Sequence, residues 1–190
     1  MFSYLLLFVS AILLISPKLE FQIKKYFYAV IHTSAVLAYT LLGQFSLILI
    51  FISHSKFPIL LISSIFLLSI IFIDKRLKNK FIYLKDALQT ELKKFKNGFK
   101  NKPNKSIIII IFLLTSLIII SSFGPINHPD SLDYHIGYPY QYWLRGKFFI
   151  DDGFHQSLLG IGDYANLSFI QEKNIWLIRY LQIFTLPVLT

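Results

Sequence analysis

Between Ser106 and Phe123 the chain runs for eighteen residues without an Asp, Glu, Lys, Arg or His. Five of them, Ile107 to Ile111, are consecutive isoleucines. In water such β-branched residues favour strands. In hydrocarbon a lone strand leaves its backbone N–H and C=O groups unsatisfied, so a run of this length predicts a helix crossing a bilayer. The segment thereby dictates the solvent of its neighbours. Phe2–Ser16, Tyr26–Ser53, Phe57–Ile73 and Ile175–Leu189 share its character, and the 190 residues are 55% hydrophobic. Apolar residues gathered in blocks separate this composition from that of a soluble domain. The fold expected is all-α: a polytopic helical membrane protein with about four to five transmembrane helices and an outer loop containing short interfacial helices.

The charges between the blocks set the expected topology. Residues 74–105 hold eleven Lys/Arg against three acids, and residues 124–174 hold three against six. Such opposed loops across one helix follow the positive-inside pattern. Residues 1–73 are then three N-terminal membrane helices, 74–105 a basic cytoplasmic loop, 106–123 a membrane helix and 124–174 an outer, periplasmic loop. Residues 175–190 begin a further membrane helix that the sequence cuts short, as expected of the N-terminal portion of a larger protein. No Lys or Arg precedes Phe2–Ile15 and no small-x-small site follows it, so it reads as a retained helix with its N-terminus outside. A Lys/Ile/Asn-rich chain of this kind points to a bacterial inner membrane. The net charge of +9 is explained by topology, so nucleic acid is not an expected partner. The absence of cysteine excludes disulfides, thiolate metal sites and cysteine nucleophiles.

Within the basic loop, Phe81, Leu84, Leu88, Leu92 and Phe95 recur at steps of three and four. This is one apolar stripe on a helix suited to lie on an anionic membrane surface. Inside the second span, His32 and Gln44 are expected to hydrogen-bond neighbouring helices.

The outer loop gathers six of the ten acidic residues and three of the five histidines. Gly124-Pro125 and His128-Pro129 break the membrane helix, and Asp130 opens a new one. Its approximate face is Leu132, Ile136, Tyr140 and Trp143, with Pro139 expected to kink it or split it into two short helices and Gly146 to end it. Its many aromatics suit the membrane interface. Asp130 and Asp133 fit a capping arrangement at a helix start. They equally fit a site in which Asp130 takes a proton from a hydroxyl while Tyr134 and His135 bind an anionic leaving group. Both readings stay open on the residues alone. His155 and Asn166 lie in a stretch that also holds Gly160 and Gly162, read here as loop lining either a pocket or nothing. Asp130, Asp133, His135 and His155 carry donors suited to a divalent metal, but their spacing matches no metal motif, so the metal stays unknown. No organic cofactor is expected.

The run Asp130-Ser131-Leu132-Asp133-Tyr134-His135, followed by Trp143-Leu144-x-Gly146, resembles the first outer loop of polytopic GT-C-type glycosyltransferases. The later Gly153-Phe154-His155…Gly160…Asn166 stretch is similar to the Gly/His/Asn part of that loop. The resemblance implies transfer of a sugar from a polyprenyl-phosphate donor to an acceptor glycan or lipid at the outer face. It assigns the catalytic base to Asp130. Tyr134, His135, Asp133, Arg145, His155 and Asn166 then become substrate-binding residues, with His135 and Arg145 meeting the leaving phosphate. The rival expectation is a non-catalytic membrane subunit, or an inactive fragment, whose acids are caps and whose loop is an interaction surface.

Overall fold

A computed structural model describes residues 1–15, 27–74, 77–98, 102–122, 135–150, 159–175 and 178. Every regular element among them is an α-helix: α1 (Phe2–Ile15), α2 (Phe27–Phe51), α3 (Ile59–Ile73), α4 (Leu77–Gly98), α5 (Lys102–Ser122), α6 (Gly137–Arg145) and α7 (Ile161–Gln171). The chain is all-α over these residues, as its apolar runs imply. Among the described helices only α2 is both long and apolar enough to cross a membrane. α1, α3 and residues 105–117 of α5 are apolar but shorter. Pro58 stands at the N-cap of α3, where its missing N–H leaves no helical bond unmade.

α1 packs on α2 and α3, and α7 packs on α2 with α6 against it. The contacts mix large and small residues: Leu7, Leu42, Ile50, Ile59 and Phe169 are buried in the core with Ala38 and Ala165. Ser3, Ser10, Ser34, Ser46 and Ser63 are fully buried. The hydroxyls of Ser10, Ser46 and Ser63 donate to the carbonyls of Leu6, Leu42 and Ile59 at 2.8, 2.8 and 3.0 Å. Each of these three bonds satisfies its hydroxyl within its own helix, whereas the buried Ser34 hydroxyl has no hydrogen-bond partner among the described residues. Many other large apolar side chains face outward, with Phe72 86% exposed and Ile73 80%.

Contacts at the two ends give the bundle a direction. At one end the Gln171 side chain donates to the carbonyls of Ser55 and Phe57 and accepts from the Ile59 N–H. The Ser55 hydroxyl donates to the Tyr142 carbonyl at 2.5 Å. At the other end the buried Lys80 ammonium donates to the Leu13 carbonyl at 2.7 Å and pairs with Asp74. The Tyr28 hydroxyl donates to Glu91 at 2.9 Å. The α6–α7 segment and the start of α1 therefore share one end, and α4 sits at the other. α4 carries the expected stripe, with Phe81, Leu88, Leu92 and Phe95 exposed.

Glu172 joins α7 to the start of α1. Its carboxylate accepts the Phe2 and Ser3 N–H groups at 2.7 and 2.9 Å, together with the Ser3 hydroxyl and the N-terminal ammonium. A negative charge there also complements the helix dipole. Burial by itself would raise the carboxyl pKa, but the ammonium and Ser3 bonds outweigh it and hold the pKa below the ordinary glutamate value. The linkage has one sign. This stabilisation is complete above the ordinary glutamate pKa and is lost as pH falls through the depressed folded value. Glu172→Gln is expected to flatten the decline in thermal midpoint between about pH 5 and pH 3, with detergent-solubilised protein as the sample.

Several expectations change. α6 begins at Gly137, so Pro139 lies in its first turn, where no N–H is needed, and the helix start expected at Asp130 lies outside the described residues. Gly146 ends α6 as expected, in the left-handed conformation at φ 74°. The stretch read as loop from Gly160 onward is helix α7, with Gly160 as its N-cap. His32 and Gln44 lie on the exposed face of α2 without hydrogen bonds among the described residues, because α1 and α7 occupy its opposite, small-residue face. The loop aromatics divide: Tyr140 is exposed, whereas Tyr138 and Tyr142 are buried against Phe149, and Tyr142 also stacks on Phe148.

Candidate functional site

α7 starts where α2 has no side chain. A Cβ on Gly43 would stand 2.2 Å from the Ile161 carbonyl oxygen, so only glycine lets the two backbones meet. One turn earlier on α2, the Tyr39 hydroxyl donates to the Gly162 carbonyl at 3.0 Å and lies 3.4 Å from Asn166 Oδ1. Tyr39 is the thirteenth of the 25 residues of α2, which puts it about 18 Å from either helix end at 1.5 Å per residue. The start of α7 is therefore held at mid-height in the bundle.

Asp163 organises the local chemistry. Its Oδ2 accepts the Gly160 N–H at 2.8 Å, satisfying a backbone donor before the first turn of α7. Its Oδ1 accepts His135 Nδ1–H at 2.5 Å. Three residues on, and so on the same helical face, the Asn166 amide donates to the His135 carbonyl at 2.6 Å. Asn166 is fully buried and Asp163 is 9% exposed. His135 is gripped at ring and backbone by one face of α7. A carboxylate accepts only, so the proton in this bond sits on Nδ1. An imidazole with a fixed tautomer can transfer a proton or bind a charged oxygen with little reorganisation.

The structure brings together two of the residues singled out in the sequence, His135 and Asn166, and adds Asp163 and Tyr39. Arg145 lies elsewhere. It is ten residues along from His135, about 15 Å away for a helical rise, with its guanidinium 3.8 Å over the Phe149 ring. Asp130, Asp133, Tyr134 and His155 lie outside the described residues. Among the described residues no group of three His, Asp or Glu side chains is placed to hold a metal ion. A local signal for Asp163 was present in the sequence: Gly160-x-x-Asp163 ahead of an apolar run is an N-terminal helix pattern.

Removing the Asp163 carboxylate strips acceptors from both His135 and the Gly160 N–H. Asp163→Ala is expected to lower stability by about 2–4 kcal/mol, from a charged hydrogen bond and a helix-start bond lost together. Asp163→Asn keeps an acceptor and should fall between, as read by denaturant unfolding followed by helical signal.

Comparison of the chain with protein-family models, with curated proteins and with solved structures finds no match.

Proposed function

We propose that this chain is part of a polytopic bacterial membrane glycosyltransferase of the GT-C kind, with residues 124–174 entering from the periplasmic side and the start of α7 reaching down into the bundle. The observation that carries the reading is the Asp163–His135–Asn166 cluster. It fixes the segment that begins five residues after Asp130 against the interior of an apolar bundle. In a bilayer such a paired ionisable group is an expensive feature that marks a site rather than packing. The outward-facing hydrocarbons and the buried serines support the membrane placement.

The chemistry follows from the residue types. Asp130 accepts the proton of an acceptor hydroxyl as its oxygen attacks the anomeric carbon of the lipid-linked sugar. The new C–O bond forms while the bond from the anomeric carbon to the phosphate oxygen breaks. Polyprenyl phosphate leaves with the bonding pair, and His135, as an imidazolium whose Nδ1–H stays on Asp163, donates its Nε2–H to the developing charge. Tyr134, Asp133, His155 and Asn166 shape the pocket around these groups, and the lipid tail lies along the membrane helices.

The test is sugar transfer by membranes that contain the intact genomic product. Labelled polyprenyl-phosphate hexoses and pentoses are supplied in turn, and label is followed into lipid and glycan. Time-dependent transfer from one donor, lost in His135→Ala, is the expected result. No transfer from any donor, with the protein folded in the membrane, rejects the reading.

A further inference from the structure

We propose that the α6–α7 end of the bundle carries a binding site for the phosphate-bearing headgroup of an anionic membrane lipid. The site is a cleft of about 360 Å³ whose walls include Phe2, Lys56, Leu60, Trp143, Gln171 and Glu172. Lys56, Trp143 and Leu144 also border a second cavity of about 320 Å³ beside it.

The charge on this cleft is not self-neutralised. The Lys56 side chain crosses Gly146, its Cε 3.4 Å from where a Cβ on that glycine would stand. Arg145 and Lys147 flank the same glycine in sequence, so two more cations lie on the adjoining turn. Lys56 has no carboxylate partner among the described residues. The one carboxylate in the cleft wall, Glu172, already faces the N-terminal ammonium and Ser3. The Arg145 guanidinium rests on Phe149, which places a second cation at this end without neutralising it. Gly146 is itself constrained: at φ 74° a side chain is strained, and Lys56 fills the space such a side chain would need.

Below the cations the surface changes to hydrocarbon. Leu61, Ile65, Leu68 and Phe72 of α3 are exposed at steps of four, three and four, which is one continuous helical stripe. Phe2, Leu5 and Val9 of α1 form a second exposed stripe starting in the same cleft. Eleven residues of α3 separate Leu61 from Phe72, a rise of about 16 Å, close to one leaflet of a hydrocarbon core about 30 Å thick. A cationic mouth with an indole at its edge, above an apolar track one leaflet long, has the shape and charge of an anionic lipid. A soluble anion would use the mouth and leave the track uncovered. The inference rests on the membrane placement and not on sugar transfer.

The test uses the full chain with Trp176→Phe, so that Trp143 is the only one of the two tryptophans left. The protein is placed in phosphatidylcholine vesicles containing a minor fraction of bromine-labelled lipid, either phosphatidylglycerol or phosphatidylcholine. Brominated phosphatidylglycerol is expected to quench Trp143 more strongly at equal fraction. Lys56→Gln should weaken that preference by about fivefold, the worth of one lysine at an anionic surface, while Lys56→Arg retains it. Soluble glycerol phosphate should not displace the lipid. Equal quenching by the two lipids overturns the site while leaving the membrane placement standing. Quenching by neither overturns both. Displacement by glycerol phosphate at matched concentration overturns the lipid as occupant.

Discussion

With asparagine at position 130, sugar transfer by the intact protein is expected to fall by about 10²–10⁴-fold, the usual contribution of a general base. The same substitution should leave the thermal midpoint nearly unchanged. Asparagine is the isostere of aspartate and caps a helix N-terminus about as well. The substitution therefore separates the two roles the sequence allows for Asp130. If the residue is only a cap, Asp130→Asn keeps both fold and turnover. If it is the base, the fold survives and turnover does not, because an amide cannot take the acceptor's proton at neutral pH. The site's other half predicts a different pattern. His135 is tied to Asp163 and Asn166 at 2.5 and 2.6 Å, so losing either bond changes stability as well as rate. Near-normal turnover in Asp130→Asn would remove Asp130 from the mechanism.

Enlarging Gly43 should be the most damaging single change to the packing. By helix propensity alone, alanine in the interior of α2 would gain about 1 kcal/mol over glycine. The added Cβ, however, meets the Ile161 carbonyl oxygen at 2.2 Å and the Ile161 side chain at 2.6 Å. The nearer neighbour is backbone, so it cannot rotate away. Relieving the contact means moving the start of α7, and with it Gly160, Asp163 and the grip on His135. Overpacking of this kind costs about 1–3 kcal/mol, occasionally more. Gly43→Ala should therefore be less stable than the natural protein by about 1 kcal/mol after the propensity gain is subtracted. Gly43→Val should lose about 3 kcal/mol, since its branches add further contacts and its propensity gain is smaller. The order Gly > Ala > Val is the opposite of what helix propensity gives for the first step. An alanine variant more stable than the natural protein would show that α7 does not rest on this face.

What was legible in the chain was local. Apolar blocks, the stripe from Phe81 to Phe95 and the stop at Gly146 are patterns within one turn or one helix, and helices stand there. The site was legible only in part. His135 and Asn166 drew notice as polar residues in a loop, but their partner Asp163 is 28 residues from His135, and Tyr39 lies 123 residues before Gly162. No periodicity reports pairings of that separation. α7 was missed because two glycines and a preceding polar stretch imitate a loop, although one of the glycines is the N-cap. Gly43 carried no signal at all, since a glycine in an apolar run becomes meaningful only once Ile161 is seen against it. Arg145 stands at the far end of α6 from His135, with its guanidinium over the Phe149 ring, a placement no local pattern reports.

The most direct measurement concerns the two ends of the bundle, on which both the sugar-transfer and the lipid readings depend. The chain has no cysteine, so single thiols can be introduced without background. Ile150, 83% exposed at the α6–α7 end, and Lys93, exposed on α4 at the other, are suitable positions. A membrane-impermeant maleimide is expected to label Ile150→Cys in intact cells, and Lys93→Cys only after the inner membrane is permeabilised. Labelling of both thiols from the same side of an intact membrane would contradict the placement of residues 124–174 and 74–105 on opposite faces.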